Sequence, residues 1–366
     1  MHSTYSTGRH LFLRFASGHA SWLAITIVSM VSLSACAVSP SAPATSDQVS
    51  QLRPVALAPG QKLQVVATTS IAGDVVRQVG GDRIDLTTLM GIGVDPHTYV
   101  ATPSDTASVH DAHLLISSGA GLEEGLSKIL QGASGAGIEV RLSDGLQLQH
   151  WPRPETGLVA GHWPRPETGL GAGQSAPQGY GAQQADRGAR VDELDPHVWF
   201  DVQNVIHWVQ TVRDTLSSLD PANSARYQAN ADTYTTQLRE LDNWILEQAA
   251  SIPQDRRKLM TNHLTLGYFA HRYGFEQVGA IYPLSPSSEP SAQDVAALEE
   301  AIRQYGLHVI FTESTVSPEL ADQVARDTGV RTIRLYTESL GASGSGAESY
   351  VDMMRYDVQA IVAGLR

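Results

Sequence analysis

The longest stretch of unbroken periodicity in this chain constrains its architecture most. Between Asp220-Pro221 and Pro253, the residues Tyr227, Ala231, Tyr234, Leu238, Leu241, Ile245 and Ala249 recur at alternating spacings of four and three, which puts one apolar stripe along a single helix. Asp220 is read as its N-cap and Pro221 as its first residue, a position where the missing N–H is no loss. About 29 residues at 1.5 Å each make a rod of roughly 43 Å. A helix of that length crosses a whole domain and can join two lobes.

Short β-rich runs alternate with helical spacing on both sides of this rod. Before it lie strands at Leu63 to Ala67, Ile84 to Met90, Leu114 to Ser117 and Ile138 to Leu142, with a helix from Ile71 to Val79. A second helix has Thr102 as N-cap, Pro103 at its first position and Asp105 at its third. After the rod come strands at Lys258 to Thr261, Glu276 to Ala280, Leu307 to Thr312 and Thr332 to Leu335. Helices follow at about Leu264 to Tyr273, Ala292 to Tyr305, Pro318 to Thr328 and from about Ser349. The alternation predicts an α/β fold of two lobes with parallel-type sheets. Residues 61–219 are assigned to the N-terminal lobe, 220–252 to the linking helix and 253–366 to the C-terminal lobe.

The amino terminus reads as an export signal. Arg9 and Arg14 precede an apolar stretch from Leu23 to Leu33 that is short for a bilayer span, and Leu33-Ser34-Ala35-Cys36 has the form of a lipobox. Residues 1–36 are therefore expected to be a lipoprotein signal ending at Cys36, where acyl chains would hold the protein at the outer side of a cell membrane. Cys36 is the only cysteine, so no internal disulfide can form. The run from Ser39 to Pro59 is rich in Ser, Ala and Pro, and residues 37–60 are read as a flexible tether. The formal net charge is -13, and the signal carries two of the positive charges and no acidic residue. The remainder is thus still more acidic, which argues against nucleic acid as a partner and permits a cation.

A long segment, 149–190, interrupts the rhythm. It contains a tandem duplication, HWPRPETGLVAG from His150 followed by HWPRPETGLGAG from His162. Two copies are too few for a solenoid, and their Pro and Gly content cannot build a core, so a mobile loop that could be removed without touching the lobes is expected. His150 and His162 could sample metal near a site, or the loop could be a neutral surface expansion.

Three other histidines occur in settings suited to one metal ion. His97 lies in Asp95-Pro96-His97-Thr98-Tyr99, His197 in Asp195-Pro196-His197-Val198-Trp199, and His263 in Thr261-Asn262-His263. Neutral imidazole is a common zinc ligand, and open α/β sheets bind ligands at the carboxyl ends of their strands. His97, His263 and Glu313, which closes the Leu307 to Thr312 strand, all occupy such ends. Glu313 is taken as the fourth ligand, so that His97, His197, His263 and Glu313 form the expected site between the lobes. Asp95 and Asp195 are read as turn-forming or ligand-orienting residues, since the proline after each fixes the chain direction. His110, His113, His207, His271 and His308 are read as surface or satisfied core residues, His207 and His271 within helices.

Asp95-Pro96-His97 with Tyr99, Asp195-Pro196-His197-Val198-Trp199-Phe200-Asp201, Asn262-His263 through Tyr268-Phe269 to Tyr273-Gly274, and Phe311-Thr312-Glu313-Ser314 together resemble the zinc and manganese solute-binding lipoproteins of metal ABC importers, in particular their zinc branch. The resemblance covers roughly Gln61 to the carboxyl terminus. It implies two α/β lobes bridged by a rigid helix, a metal held between them, and delivery to a membrane permease driven by its ATPase, the protein acting as an extracytoplasmic, lipid-anchored monomer. In that family the third ligand is histidine in zinc binders and commonly glutamate in manganese binders, and manganese binders carry an aspartate where this chain has Ser317. Zn2+ is thereby favoured over Mn2+. The zinc branch typically has a histidine-rich loop before its second Asp-Pro-His, whereas this one is poor in histidine. A zinc hydrolase would need an open coordination position and a nearby general base. The chain has no HExxH or comparable signature, so an enzyme is not expected. A surface adhesin follows only from lipid anchoring and is compatible with metal binding.

Replacing Cys36 with Ser is expected to abolish fatty-acid labelling and to shift the protein into the soluble exported fraction or leave it unprocessed. Undiminished labelling of Cys36→Ser would refute the lipobox.

Overall fold

A computed structural model of the chain describes residues 52–126, 138–151, 194–282 and 291–366. The signal, Cys36, most of the tether and nearly all of the duplicated loop lie outside the described residues.

Among the described residues, two four-stranded, all-parallel sheets carry the fold. The N-terminal lobe contains β1 (Leu63–Ala67), α1 (Ser70–Gly80), β2 (Ile84–Thr88), α2 (Pro103–Asp111), β3 (Leu114–Ser117) and β4 (Ile138–Arg141), its strands in the order β2-β1-β3-β4. Helices α3 (Val202–Leu219) and α4 (Ser224–Ala250) follow. The C-terminal lobe comprises β5 (Lys258–Thr261), α5 (Gly267–Tyr273), β6 (Glu276–Ala280), α6 (Ala292–Gln304), β7 (Val309–Glu313), α7 (Glu319–Thr328), β8 (Arg331–Leu335) and α8 (Tyr350–Leu365), with strand order β6-β5-β7-β8. The two lobes thus repeat one topology. In each, the chain crosses from one side of the first strand to the other, and the crevice at that reversal faces the carboxyl ends of the strands.

Helix boundaries follow local chemistry. The Thr69 hydroxyl accepts from Ala72 N at the start of α1, and Thr102 with Asp105 forms the expected capping box on α2 with Pro103 in its first turn. Gly274, at φ 74°, ends α5 in a left-handed turn that a side chain would strain. His207 lies in α3, an 18-residue helix for which the sequence offered no limits.

The rod forms, but starts later than its sequence suggests. A 3-10 turn at Pro221–Asn223 takes up its first residues, leaving α4 with 27. Asp220 does not cap it. Its Oδ2 instead accepts from the Tyr227 hydroxyl at 2.8 Å and from Asn223 Nδ2 at 2.7 Å. All seven stripe residues are buried within one apolar cluster that runs from Leu63 in β1 through α4 to Val362 in α8. Helix α4 therefore packs against α1 and α3 of one lobe and α5 and α8 of the other. Asp242, buried on α4, ties them further by accepting from Gln203 Nε2 of α3 (2.8 Å) and from Arg272 Nη2 (2.5 Å) and Tyr273 OH (2.9 Å) of α5.

The last part of the presumed tether is laid down on this core. Leu52, Val55 and Leu57 pack against it, and Val55 N donates to Leu219 O at 2.8 Å. These three apolar side chains and the backbone bond of Val55 fasten residues 52–57, assigned to the tether from the sequence, to the folded body.

Because Leu238 is fully buried at the middle of the stripe, Leu238→Ala should lower unfolding free energy by about 2 to 5 kcal/mol. Urea denaturation with an unchanged midpoint would show that the helix is not held by this face.

Candidate metal centre

Each of the three histidines is fixed by a carboxylate or a turn. The His97 loop follows β2, and its backbone N–H donates to Asp95 Oδ1 at 2.8 Å. Tyr99 OH donates to Asp105 Oδ2 at 2.6 Å, which joins the loop to the cap of α2. His197 precedes the 3-10 turn that leads into α3, and Asp195 Oδ1 lies 2.9 Å from its backbone N and 2.7 Å from its Nδ1. His263 stands just past β5, where Glu313 Oε1 is 2.9 Å from its backbone N and 2.8 Å from its Nδ1. A carboxylate against Nδ1 selects the tautomer with the proton there, so the Nε2 lone pairs of His197 and His263 are free to point elsewhere.

They point at one another and at Glu338. The ring centroids of the three imidazoles are 5.2 to 5.3 Å apart. His97 Nε2 lies 3.2 Å from His197 Nε2. Glu338 Oε1 lies 3.0 Å from His197 Nε2 and 3.5 Å from His263 Nε2, and its Oε2 lies 3.9 Å from His97 Nε2. One donor atom from each of the four residues falls within 4.8 Å of every other. Tetrahedral ligands bound at roughly 2.0 to 2.1 Å stand about 3.3 Å apart, so this set needs little adjustment to enclose a zinc-sized ion. Both oxygens of Glu338 and Nε2 of His263 are buried without a hydrogen bond of good geometry. Unpartnered buried polar atoms are costly, and a shared cation would satisfy them all.

The structure therefore brings Glu338, and not Glu313, to the three imidazoles. Glu313 is engaged behind His263, its Oε1 on that histidine and its Oε2 accepting from Thr337 Oγ1 at 2.7 Å. Its carboxylate is used up as a positioning group. Glu338 lies three residues past β8, in the last of the strand-end loops, so the rule that singled out Glu313 reaches it as well. Ser317 is exposed at the entry to α7, where its Oγ accepts from Glu319 N at 3.4 Å, and it is not one of the clustered residues. The remaining sequence assignments agree with the structure: His110, His271 and His308 are exposed, His113 Nδ1 accepts from Gln64 N, and His207 bonds to Asp144 O.

Electrostatics divides the three rings. Burial, reinforced by the neighbouring imidazoles and only partly offset by Glu338, pushes His97 down to about 3, so it is neutral at neutral pH. For His197 burial also opposes charge, but Glu338 and Asp195 on its two nitrogens overcome it and raise its pKa well above the ordinary value. His263 is raised in the same sense, against burial, by Glu313 and then Glu338. Burial would raise Glu338, yet the ring of imidazoles, His197 first, holds it well below the usual carboxylate range. Without metal, a proton on His197 does part of the work of the cation. Asp95 is raised to about 6 by burial and then by Glu338.

Two residues of the cluster come from each lobe, and direct bonds cross between the lobes beside them. Trp199 Nε1 donates to Thr337 O at 3.1 Å, next to Glu338. Ser339 Oγ accepts from Gly93 N at 2.7 Å, and Leu340 N donates to Ser70 Oγ at 3.1 Å. Tyr350 N donates to Asp74 Oδ2 at 2.9 Å, and Tyr350 OH to Trp199 O at 2.7 Å.

Residues 65–364, nearly the whole of the described fold, match the family described as zinc-uptake complex component A, periplasmic. The chain belongs to that family. It is a substrate-binding protein for metal of the ABC-transporter type, not an enzyme. Among its relatives, the manganese-binding lipoprotein MntA of Halalkalibacterium halodurans is 32% identical over 84% of this chain and 89% of its own length. The zinc-binding protein TroA of Treponema pallidum is 30% identical over 85% and 91%. The solved structure of the periplasmic zinc-binding protein TroA superposes with a TM-score of 0.67 at 28% identity, covering 83% of this chain and 99% of that one. The two-lobed α/β architecture is therefore that of the family.

Glu338→Gln should weaken metal binding at least a hundredfold, whereas Glu313→Gln, which leaves the donor set whole but loosens His263, should cost about ten- to a hundredfold. Calorimetric titration of both variants, with circular dichroism to verify folding, separates the roles. A larger loss in Glu313→Gln than in Glu338→Gln would reverse them.

Proposed function

We propose that this protein captures Zn2+ outside the cytoplasm, through His97, His197, His263 and Glu338, and hands it to a membrane permease powered by an ATPase. As a substrate-binding component of the ABC type it works with those partners. The protein is extracytoplasmic and membrane-anchored, in keeping with relatives named as lipoproteins, and Cys36 is the residue proposed to carry the anchor. The observation that carries the metal assignment is the cluster itself: three imidazole nitrogens and one carboxylate converge in a buried space between the lobes. A donor set dominated by nitrogen suits zinc, and four protein donors fill a tetrahedral shell with no position for an activated water.

A manganese reading has one specific observation in its favour. Glu338 directs both oxygens at the cluster, Oε1 to 3.0 Å from His197 Nε2 and Oε2 to 3.9 Å from His97 Nε2, so a bidentate carboxylate would give three nitrogens and two oxygens, closer to what Mn2+ accepts. The manganese names of several relatives, MntA and PsaA proteins among them, agree with it. Nitrogen still supplies most of the donors, and zinc lies above manganese in affinity at such sites.

Competition between Zn2+ and Mn2+ on the metal-free protein, repeated from pH 5 to 8, tests both the metal and the donors. Zinc is expected to win. Because the raised His197 and His263 hold protons that the metal must displace, apparent affinity should rise with pH across the whole range, with proton uptake by buffer detectable on binding. Preference for manganese overturns the zinc assignment, and equal affinity at pH 5 and pH 8 overturns the histidine-dominated site.

A further inference from the structure

The duplicated loop appears dispensable from its sequence, yet its first two residues are built into the fold. His150 pairs with Leu194 in an antiparallel bridge, and Asp195 N donates to Gln149 O at 2.8 Å. Tyr268 OH completes the clamp by accepting from Gln149 N at 2.8 Å and donating to Asp195 O at 3.2 Å. The base of the loop is thereby fastened to the carboxylate residue that orients His197.

Trp151 emerges from this clamp and is 6% exposed. Its indole meets the His197 ring edge-on at 5.2 Å between centroids, with Trp199 on the same imidazole at 5.4 Å. Trp151 also packs with Leu264 and Ala280. Leu264 follows His263 directly, and Ala280 ends β6, so both belong to the C-terminal lobe. Trp151 is therefore a single side chain in contact with a ligand of one lobe and with the segment carrying a ligand of the other. His97, at 13% side-chain exposure, is the one partly exposed member of the cluster.

We infer that Trp151 is a positioning residue of the metal site, a wedge that holds the His197 ring in place and joins the two lobes, and that it sets how slowly bound metal is released. Separation of the lobes must pull the indole away from either His197 or Leu264 and Ala280, and so expose a large apolar surface. This inference rests on the metal-capture reading given above. Edge-to-face aromatic contacts favour the observed geometry over other packings. An aliphatic replacement therefore loses orientation as well as area.

The test uses the full chain loaded with Zn2+ and chased with excess chelator in a stopped-flow instrument, beside the absorption spectrum of the Co2+ form. Trp151→Ala should release zinc about tenfold faster or more, the loss expected for an aromatic pair together with its burial, while the cobalt spectrum keeps the same ligand set. Trp151→Phe should restore most of the slow release and Trp151→Leu should not, a ranking that remains readable if Trp151→Ala folds poorly. Trp163→Ala, at the equivalent position of the second copy, should release at the parental rate. Equal release rates across the Trp151 series would overturn the inference, as would a Trp163→Ala effect as large as that of Trp151→Ala. If the parent takes up no metal, the capture reading itself fails, which is a different result.

Discussion

Four groups that would each prefer water are gathered in a space largely closed to solvent. Three imidazoles and a carboxylate, of which only His97 retains some exposure, would be a serious defect in a protein with no cation to bind, since buried polar atoms without partners weigh heavily against folding. Most of the polar architecture around them can be understood as containing that cost. Asp195 and Glu313 hold the far nitrogens of two rings, Asp95 holds the backbone of the third, and Glu338 draws a proton onto His197. The same contacts that make the metal-free protein tolerable also aim the donor atoms.

The lobes supply the second half of that containment. Helix α4 makes one apolar core common to both, so the sheets cannot drift apart without disrupting it. Around the cluster direct bonds cross between the lobes: Trp199 to Thr337, Gly93 to Ser339, Ser70 to Leu340 and Tyr350 to Asp74. Several of them end within one or two residues of Glu338. The loop after β8 is therefore held by the opposite lobe as firmly as by its own.

Much of this was legible in the sequence because local chemistry and long-range demand coincide. The stripe on α4, the capping box on Thr102 and Asp105, and the β-rich runs all report interactions within one helix or strand, and the family motifs around His97, His197 and His263 mark turns that aim a side chain. Glu338 was not legible in this way. It follows an edge strand, Arg331–Leu335, whose alternation of charged and apolar residues is weak, whereas Glu313 closes a fully buried strand and attracted the assignment. Asp220 shows the opposite failure: Asp-Pro is a good local signal for a helix start, but Tyr227, seven residues on, competes for its carboxylate. Trp151 was hidden because its repeat is rich in polar, Pro and Gly residues and shows no apolar periodicity. Only the arrival of Leu264 and Ala280 from the other lobe gives it a core to join.

The repeated strand order of the two sheets has a consequence for affinity. Each lobe presents a two-toothed claw, His97 with His197 and His263 with Glu338, and neither claw alone could hold a divalent ion firmly. Because α4 fixes their separation at the time of folding, the second claw meets the ion at a high effective concentration and loses little freedom in doing so. The grip of the site is then a chelate effect written at the scale of domains. A change of a few degrees between the lobes would convert a four-toothed claw into two weak ones without breaking a single covalent bond.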